Sequence, residues 1–200
     1  MENNLQKDFL GAKIGMWLFL FTEIILFGGL FLLYAVDLSK YADDFHKAGQ
    51  ELNVSIGTIN TLVLITSSFF IALSITTLRL GKKKITVYLV ALTILSAIVF
   101  LINKYFEWSA KISHGIYPNS DHLITLPKGE ITFYNLYYIM TGLHAVHVLL
   151  GIIILSVVCL LLVKNRVTAD NFIILENSAL YWHLVDLIWI FLYPLFYLIA

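Results

Sequence analysis

The chain has 200 residues, 60% of them hydrophobic and only 13% charged, with a mean hydropathy of +0.85. A soluble domain of this length needs far more polar surface, so the composition identifies an integral membrane protein. Thirteen basic against thirteen acidic side chains argue against nucleic-acid binding, and one cysteine, Cys159 inside an apolar run, excludes a disulfide framework and a thiolate metal cluster.

The N-terminus, Met1 to Lys13, is polar and mixed in charge. Ile14–Val36 follows, 23 residues long. It exceeds a signal-peptide core, and no small-x-small cleavage site succeeds it, so it is read as a first transmembrane helix kept in the mature protein. Four more runs reach the roughly 20 residues that a helix needs to cross a bilayer: Leu52–Leu78, Ile85–Trp108, Phe133–Val163 and Ala179–Ala200. They are continuous rather than alternating, which excludes barrel strands. The expected fold is all-α, a single membrane domain over 1–200 with five transmembrane helices.

The connections are short. Asp37–Glu51 reads as a charged hairpin, Arg79–Lys84 as a basic turn and Asn165–Ser178 as a modest loop. Ser109–Thr132, with Pro118, Pro127, Gly115 and Gly129, reads as irregular. One side of the membrane then carries Lys7, Lys13, Arg79, Lys82, Lys83, Lys84, Lys164 and Arg166, and the other Lys40, Lys47, Lys104, Lys111 and Lys128. Eight against five predicts an N-terminus inside and a C-terminus outside.

Ionisable groups in hydrocarbon cost roughly 2.5–3.5 kcal/mol each on insertion scales, so they face protein or water. Glu23, in the middle of helix one, is either a protonated acid bonded to a neighbouring helix or a group that influences proton movement nearby; both readings turn it toward protein. Asn60, Ser67 and Ser74 recur at heptad spacing and share one face of helix two, where small polar residues favour close helix packing. Lys104 and Glu107 are spaced to pair on helix three, although Lys104 is also placed to snorkel to the interface. On helix four, His144, His147 and Gly151 lie along one face.

A haem held between His147 and His183 fails on depth, because the two sit on the order of 13 Å apart along the membrane normal. A copper or zinc site lacks its third and fourth ligands, so hydrogen-bonded histidines are expected. On helix five, Trp182, Asp186, Trp189 and Tyr193 form one stripe, with His183 and Asp186 spaced to hydrogen-bond each other. With Glu107, His144, His147, Glu176 and Tyr181 these residues read as a polar seam for helix packing or a lipid headgroup. No nucleophile beside a base and no phosphate-cradling loop is present, so no catalytic residue is assigned.

Five ordered blocks make the chain resemble subunit III of the haem–copper oxidases, most closely that of cytochrome c oxidase. They are Gly15-Met16-Trp17-Leu18-Phe19 through Thr22-Glu23 to Phe27; Asn60-Thr61-Leu62 through Thr66-Ser67-Ser68; Tyr105-Phe106-Glu107-Trp108; Thr141-Gly142-Leu143-His144-Ala145-Val146-His147-Val148; and Glu176 followed by Tyr181-Trp182-His183-Leu184-Val185-Asp186. The chain is similar to the short, five-helix form of the family, whose inward N-terminus agrees with the charge count. Relatives in quinol oxidases and nitric oxide reductase clusters tend to carry Asp where Glu23 stands, which favours the cytochrome c oxidase branch. Lys104 where the family often has Gln, and Thr22 for a common Ser, depart from the pattern.

The resemblance implies a subunit without a redox centre or metal of its own. It packs with subunits I and II, which hold haem and copper and reduce oxygen to water while protons are pumped. It implies structural phospholipid in a helix cleft, support of proton uptake and turnover stability, and a bacterial plasma membrane, and leaves membership of a larger respiratory supercomplex open. Glu23 matches the family's carbodiimide-reactive intramembrane carboxyl. The alternatives are an accessory subunit of a quinol oxidase or nitric oxide reductase and, more distantly, a small transporter using Glu23 and Asp186 for proton coupling. The transporter reading lacks repeat symmetry and broken helix pairs.

Overall fold

In hydrocarbon every backbone N–H and C=O must find its partner within the segment, so each long apolar run becomes a helix. The computed structural model describes residues 2–199, with side chains from Leu10 onward; Ala200 and the side chain of Lys7 lie outside the described residues. The helices are α1 (Glu2–Lys40), α2 (Ala42–Gln50), α3 (Val54–Arg79), α4 (Lys83–Ser113), α5 (Asp121–Ile124), α6 (Lys128–Val163) and α7 (Ile173–Pro194), with a π-helical segment Leu195–Ile199 continuing the last. Five are long and apolar enough to cross a membrane, from Leu10–Lys40 to Ile173–Ile199.

α1 and α4 overrun their apolar windows at both ends and α6 and α7 at their N-terminal ends, whereas α3 starts two residues later than expected, at Val54, because Asn53 caps it. α4 starts at Lys83 and runs to Ser113, α6 begins at Lys128 and α7 at Ile173, because a helix keeps its own hydrogen bonds beyond the hydrocarbon edge while hydropathy does not register that extension. Two connections also differ from expectation. The charged hairpin contains α2, and the irregular stretch contains α5, whose first turn is capped by Ser120 Oγ accepting from the Leu123 N–H at 3.1 Å.

Short turns follow from residues that tolerate left-handed backbone. Gly81, at φ +72°, ends α3; its N–H bonds the Leu78 carbonyl and that of Lys82 the Thr77 carbonyl, each at 2.9 Å. Asn165, at φ +57°, reverses the chain after α6 in the same way. The Gly81 turn makes α3 and α4 an antiparallel hairpin.

α3, α4, α6 and α7 close a ring in which α3 packs on α4, α4 on α6, α6 on α7 and α7 on α3, with α1 outside against α6 and α7. Each ring helix is antiparallel to both neighbours. α2 lies across α6 and the π-helical segment, so its end of the bundle is called the α2 face and the opposite end the turn face. Aromatic side chains fill the α2 face: Tyr34, Phe45, Phe133, Tyr137 and Phe196 meet edge-on at centroid distances of 5.1–5.6 Å. Tyr34 also donates to the Leu195 carbonyl at 2.6 Å, where the π-helical segment begins.

Candidate functional site

The polar residues read from the sequence do not form one seam. The ring of helices separates them into four clusters at different depths.

The first lies toward the α2 face. Lys104 and Glu107, one turn apart on α4, are 3% and 5% exposed and paired at 3.1 Å. Lys104 Nζ also donates to the Tyr137 and Tyr197 hydroxyls at 3.0 Å each. Both hydroxyls in turn donate to Glu107 Oε1, at 2.6 and 2.5 Å. The ammonium stands 5.2 Å from the Trp189 ring centroid. Lys104 therefore does not snorkel; its donors are met inside the protein. Around this knot no sequence signal marks Glu51 accepting from Tyr134 at 2.5 Å, Asp44 accepting from the Gly129 N–H at 3.1 Å, or the Lys47–Glu130 ion pair at 2.6 Å. The Glu130 carboxylate holds the Lys47 ammonium above its usual range.

The second cluster is at mid-membrane. Glu23 Oε2 lies 2.9 Å from His147 Nε2, and His147 Nδ1 lies 2.8 Å from the Leu143 carbonyl. A carbonyl only accepts, so Nδ1 carries a hydrogen. Nε2 then either accepts from a protonated Glu23 or, as an imidazolium, donates to its carboxylate. Both forms share one proton and are neutral overall, which suits low dielectric. Phe27 covers the His147 ring edge-on at 5.3 Å, and Tyr181 donates to the His147 carbonyl at 3.0 Å. His144 behaves otherwise: it is fully buried, neither ring nitrogen has a partner among the described residues, and it packs between Phe100 and Trp189 at 5.5 and 5.3 Å. The expectation of a hydrogen-bonded histidine holds for His147 and not for His144.

The third cluster joins α3 to α7. Asn60, Ser67 and Ser74 are all fully buried on one face of α3. Asn60 accepts from Asn103 at 2.8 Å, Ser67 Oγ from the Trp182 indole at 3.0 Å, and Ser74 bonds back to the Ile71 carbonyl at 2.7 Å. Trp189 donates to Thr61 at 3.0 Å and Tyr193 meets Thr58 at 2.7 Å. The α7 stripe is thus a row of aromatic donors set on α3 hydroxyls. Trp182 also covers Gly151, where a Cβ would come within 2.7 Å of the indole. The expected His183–Asp186 bond does not form. His183 Nδ1 turns to Ser68 Oγ at 2.6 Å, and both Asp186 oxygens are without a partner.

The fourth cluster lies at the turn face. Glu176 pairs with Lys13 at 3.1 Å and Arg79 at 3.5 Å, and Asn177 donates to the Ala12 carbonyl at 3.3 Å, fastening α1 to α7. Glu176 is therefore at the opposite end of the bundle from Glu107. Among the described residues no group of three or more His, Cys, Asp or Glu stands close enough to hold a metal ion. The chemistry that this arrangement supplies is proton sharing at Glu23–His147 and helix fastening elsewhere.

Comparison with known proteins places these residues in a family context. The family model described as cytochrome c oxidase subunit III matches residues 4–200. Cytochrome c oxidase subunit 3 of Thermostichus vulcanus is 30% identical over 188 residues, covering 94% of this chain and 87% of that protein. A probable quinol oxidase subunit 3 of Staphylococcus haemolyticus is also 30% identical, over 194 residues, covering 94% of this chain and 89% of that protein. A heme-copper oxidase subunit I+III of Aeropyrum pernix is 28% identical over 193 residues, and there the chain spans 22% of the longer protein.

Proposed function

This chain belongs to the cytochrome c oxidase subunit III family, and from that membership we propose that it is the non-redox third subunit of a respiratory cytochrome c oxidase. It packs on the catalytic subunit I beside subunit II; haem and copper reside in those partners, where oxygen is reduced to water and protons are pumped. The observation that carries this reading is the Glu23–His147 contact at 2.9 Å. The resemblance leads one to expect an aspartate, one methylene shorter, at this position in the quinol branch.

The neutral, proton-sharing pair supports proton uptake by the complex without placing a fixed charge at the bilayer centre. Phospholipid lies against α1, whose outward face carries Trp17, Leu18, Phe21 and Ile25, each more than half exposed. The turn face, with Lys13, Arg79, Lys82, Lys83, Lys84, Lys164 and Arg166, faces the cytoplasmic side of a bacterial plasma membrane.

A second reading, subunit III of a quinol oxidase, is favoured by the 30% identity to the staphylococcal protein. The oxidase purified with this chain, assayed for oxygen uptake with reduced cytochrome c and with a quinol, separates the two. Turnover with cytochrome c is expected; turnover with the quinol alone transfers the chain to the second branch.

A further inference from the structure

Lys111 is a buried cation without an anion. It stands one turn beyond Glu107 on α4, is 8% exposed, and lies 5.6 and 6.0 Å from the ring centroids of Tyr134 and Tyr137. Among the described residues no carboxylate comes within ion-pair distance of its ammonium. Glu107 does not serve, because it already accepts from Lys104, Tyr137 and Tyr197. A charge withdrawn from water and left unpaired is costly, and aromatic faces relieve it only in part.

The Lys111 side chain lines a cavity of about 570 Å³ between the ends of α3 and α4, whose walls include Glu51, Asn53, His114 and His122. The first turn of α3, capped by Asn53, favours a negative group there. Acceptors for a cation stand in the same wall. Glu51 gives Oε2 to the Tyr134 hydroxyl at 2.5 Å, which leaves Oε1. His114 Nδ1 lies 2.6 Å from the Ala110 carbonyl, so it carries a hydrogen and the neutral ring keeps Nε2 as an acceptor. The cavity therefore lacks an anion at Lys111 and a cation beside it, a pattern that one zwitterion completes.

Phe106, 65% exposed, forms part of this cavity and also of an apolar groove of about 510 Å³, bordered by Ile98, Leu101 and Ile102 of α4 and Leu149 and Ile152 of α6. From Ile98 to Lys111 is thirteen residues (111 − 98), about 20 Å along the helix. Half a hydrocarbon core is about 15 Å thick, so the groove lies at acyl depth when Lys111 lies among headgroups. Tyr105 and Tyr117, exposed on either side of Lys111 in the chain, suit that interfacial level. A soluble anion has no use for the groove, and an apolar helix has none for the charges.

We propose that the α3–α4 cavity binds the headgroup of a phosphatidylethanolamine, its phosphate on Lys111 and its ammonium at Glu51, with an acyl chain passing over Phe106 into the α4–α6 groove. The site is separate from the outward face of α1, which packs on α6 and α7, and it holds whichever oxidase the chain serves.

The test uses the full chain, with the subunits that co-purify, in vesicles of equal parts phosphatidylethanolamine, phosphatidylglycerol and phosphatidylcholine. A photo-crosslinking phenylalanine analogue replaces Phe106 or, as control, Tyr88, which is 64% exposed near the other end of α4. Mass spectrometry of the adducts is expected to show phosphatidylethanolamine enriched about threefold to tenfold at Phe106 and bulk proportions at Tyr88. Lys111→Gln and, separately, Glu51→Gln are expected to return the Phe106 adducts to bulk proportions, and Lys111→Arg to keep the enrichment. Bulk proportions at Phe106 in the unaltered chain overturn the inference, as does enrichment that survives both Gln variants. Enrichment of phosphatidylglycerol instead shows an anion site without the zwitterion, and loss of enrichment in millimolar inorganic phosphate shows a free-anion site; each overturns it. A Phe106 adduct with a protein subunit shows that a helix covers the groove, and overturns it as well.

Discussion

Lys104 is the side chain that the membrane tolerates least by itself and that the fold accommodates most completely. Its three donors go to Glu107, Tyr137 and Tyr197, and Glu107 receives both phenols in return. Removing one partner of a buried pair leaves the other charge uncompensated, typically at about 3–5 kcal/mol, whereas replacing both with apolar groups is often close to neutral. Lys104→Met alone is therefore expected to cost about that much, and Lys104→Met with Glu107→Leu markedly less. Detergent-driven unfolding followed by tryptophan fluorescence measures both, and a double variant no better than the single one contradicts the pairing.

The Lys104–Glu107 contact was legible in the sequence because its partners lie one turn apart on one helix. The phenols were not, since they arrive from 33 and 93 residues further along the chain. The same distance in sequence hid Glu23 from His147, although each had been singled out alone. His183 and Asp186 show the converse error. Correct spacing for a local bond lost to Ser68, which α3 brings to His183 across the helix interface.

At the scale of elements, the α6–α7 contact depends on a missing side chain. A Cβ at Gly151 would lie 2.7 Å from two atoms of the Trp182 ring. The ring is rigid and already bonded to Ser67, so it cannot step aside. Gly151→Ala is expected to destabilise by about 1–3 kcal/mol through overpacking. Gly28, with nothing within 4 Å of its Cβ position, provides the control, and Gly28→Ala should stay within about 0.5 kcal/mol. Unfolding midpoints in the same detergent decide it; equal losses would show that Trp182 does not set the helix spacing.

The apolar runs revealed all five spans, and the heptad of Asn60, Ser67 and Ser74 revealed the packed face of α3. α2 escaped because three of its nine residues, Asp43, Asp44 and Lys47, are charged and its buried apolar content is only a stripe of Phe45 and Ala48, visible once α6 is there to receive it. Helix ends escaped because hydropathy marks the hydrocarbon edge, whereas Lys83, Lys128 and Ile173 begin helices beyond it.

At the scale of the whole molecule, the described residues assemble fasteners and one proton-sharing pair, and no ligand set for a redox metal. Membership of the haem–copper oxidase subunit III family implies that such a chain works alongside catalytic subunits. The most direct measurement is a mild-detergent pull-down of the tagged chain followed by a reduced-minus-oxidised visible spectrum. We predict a haem a band stoichiometric with the chain and lost when the chain is purified alone. Haem b and o bands alone would move the protein to the quinol branch, and a purified complex with no haem would contradict the account.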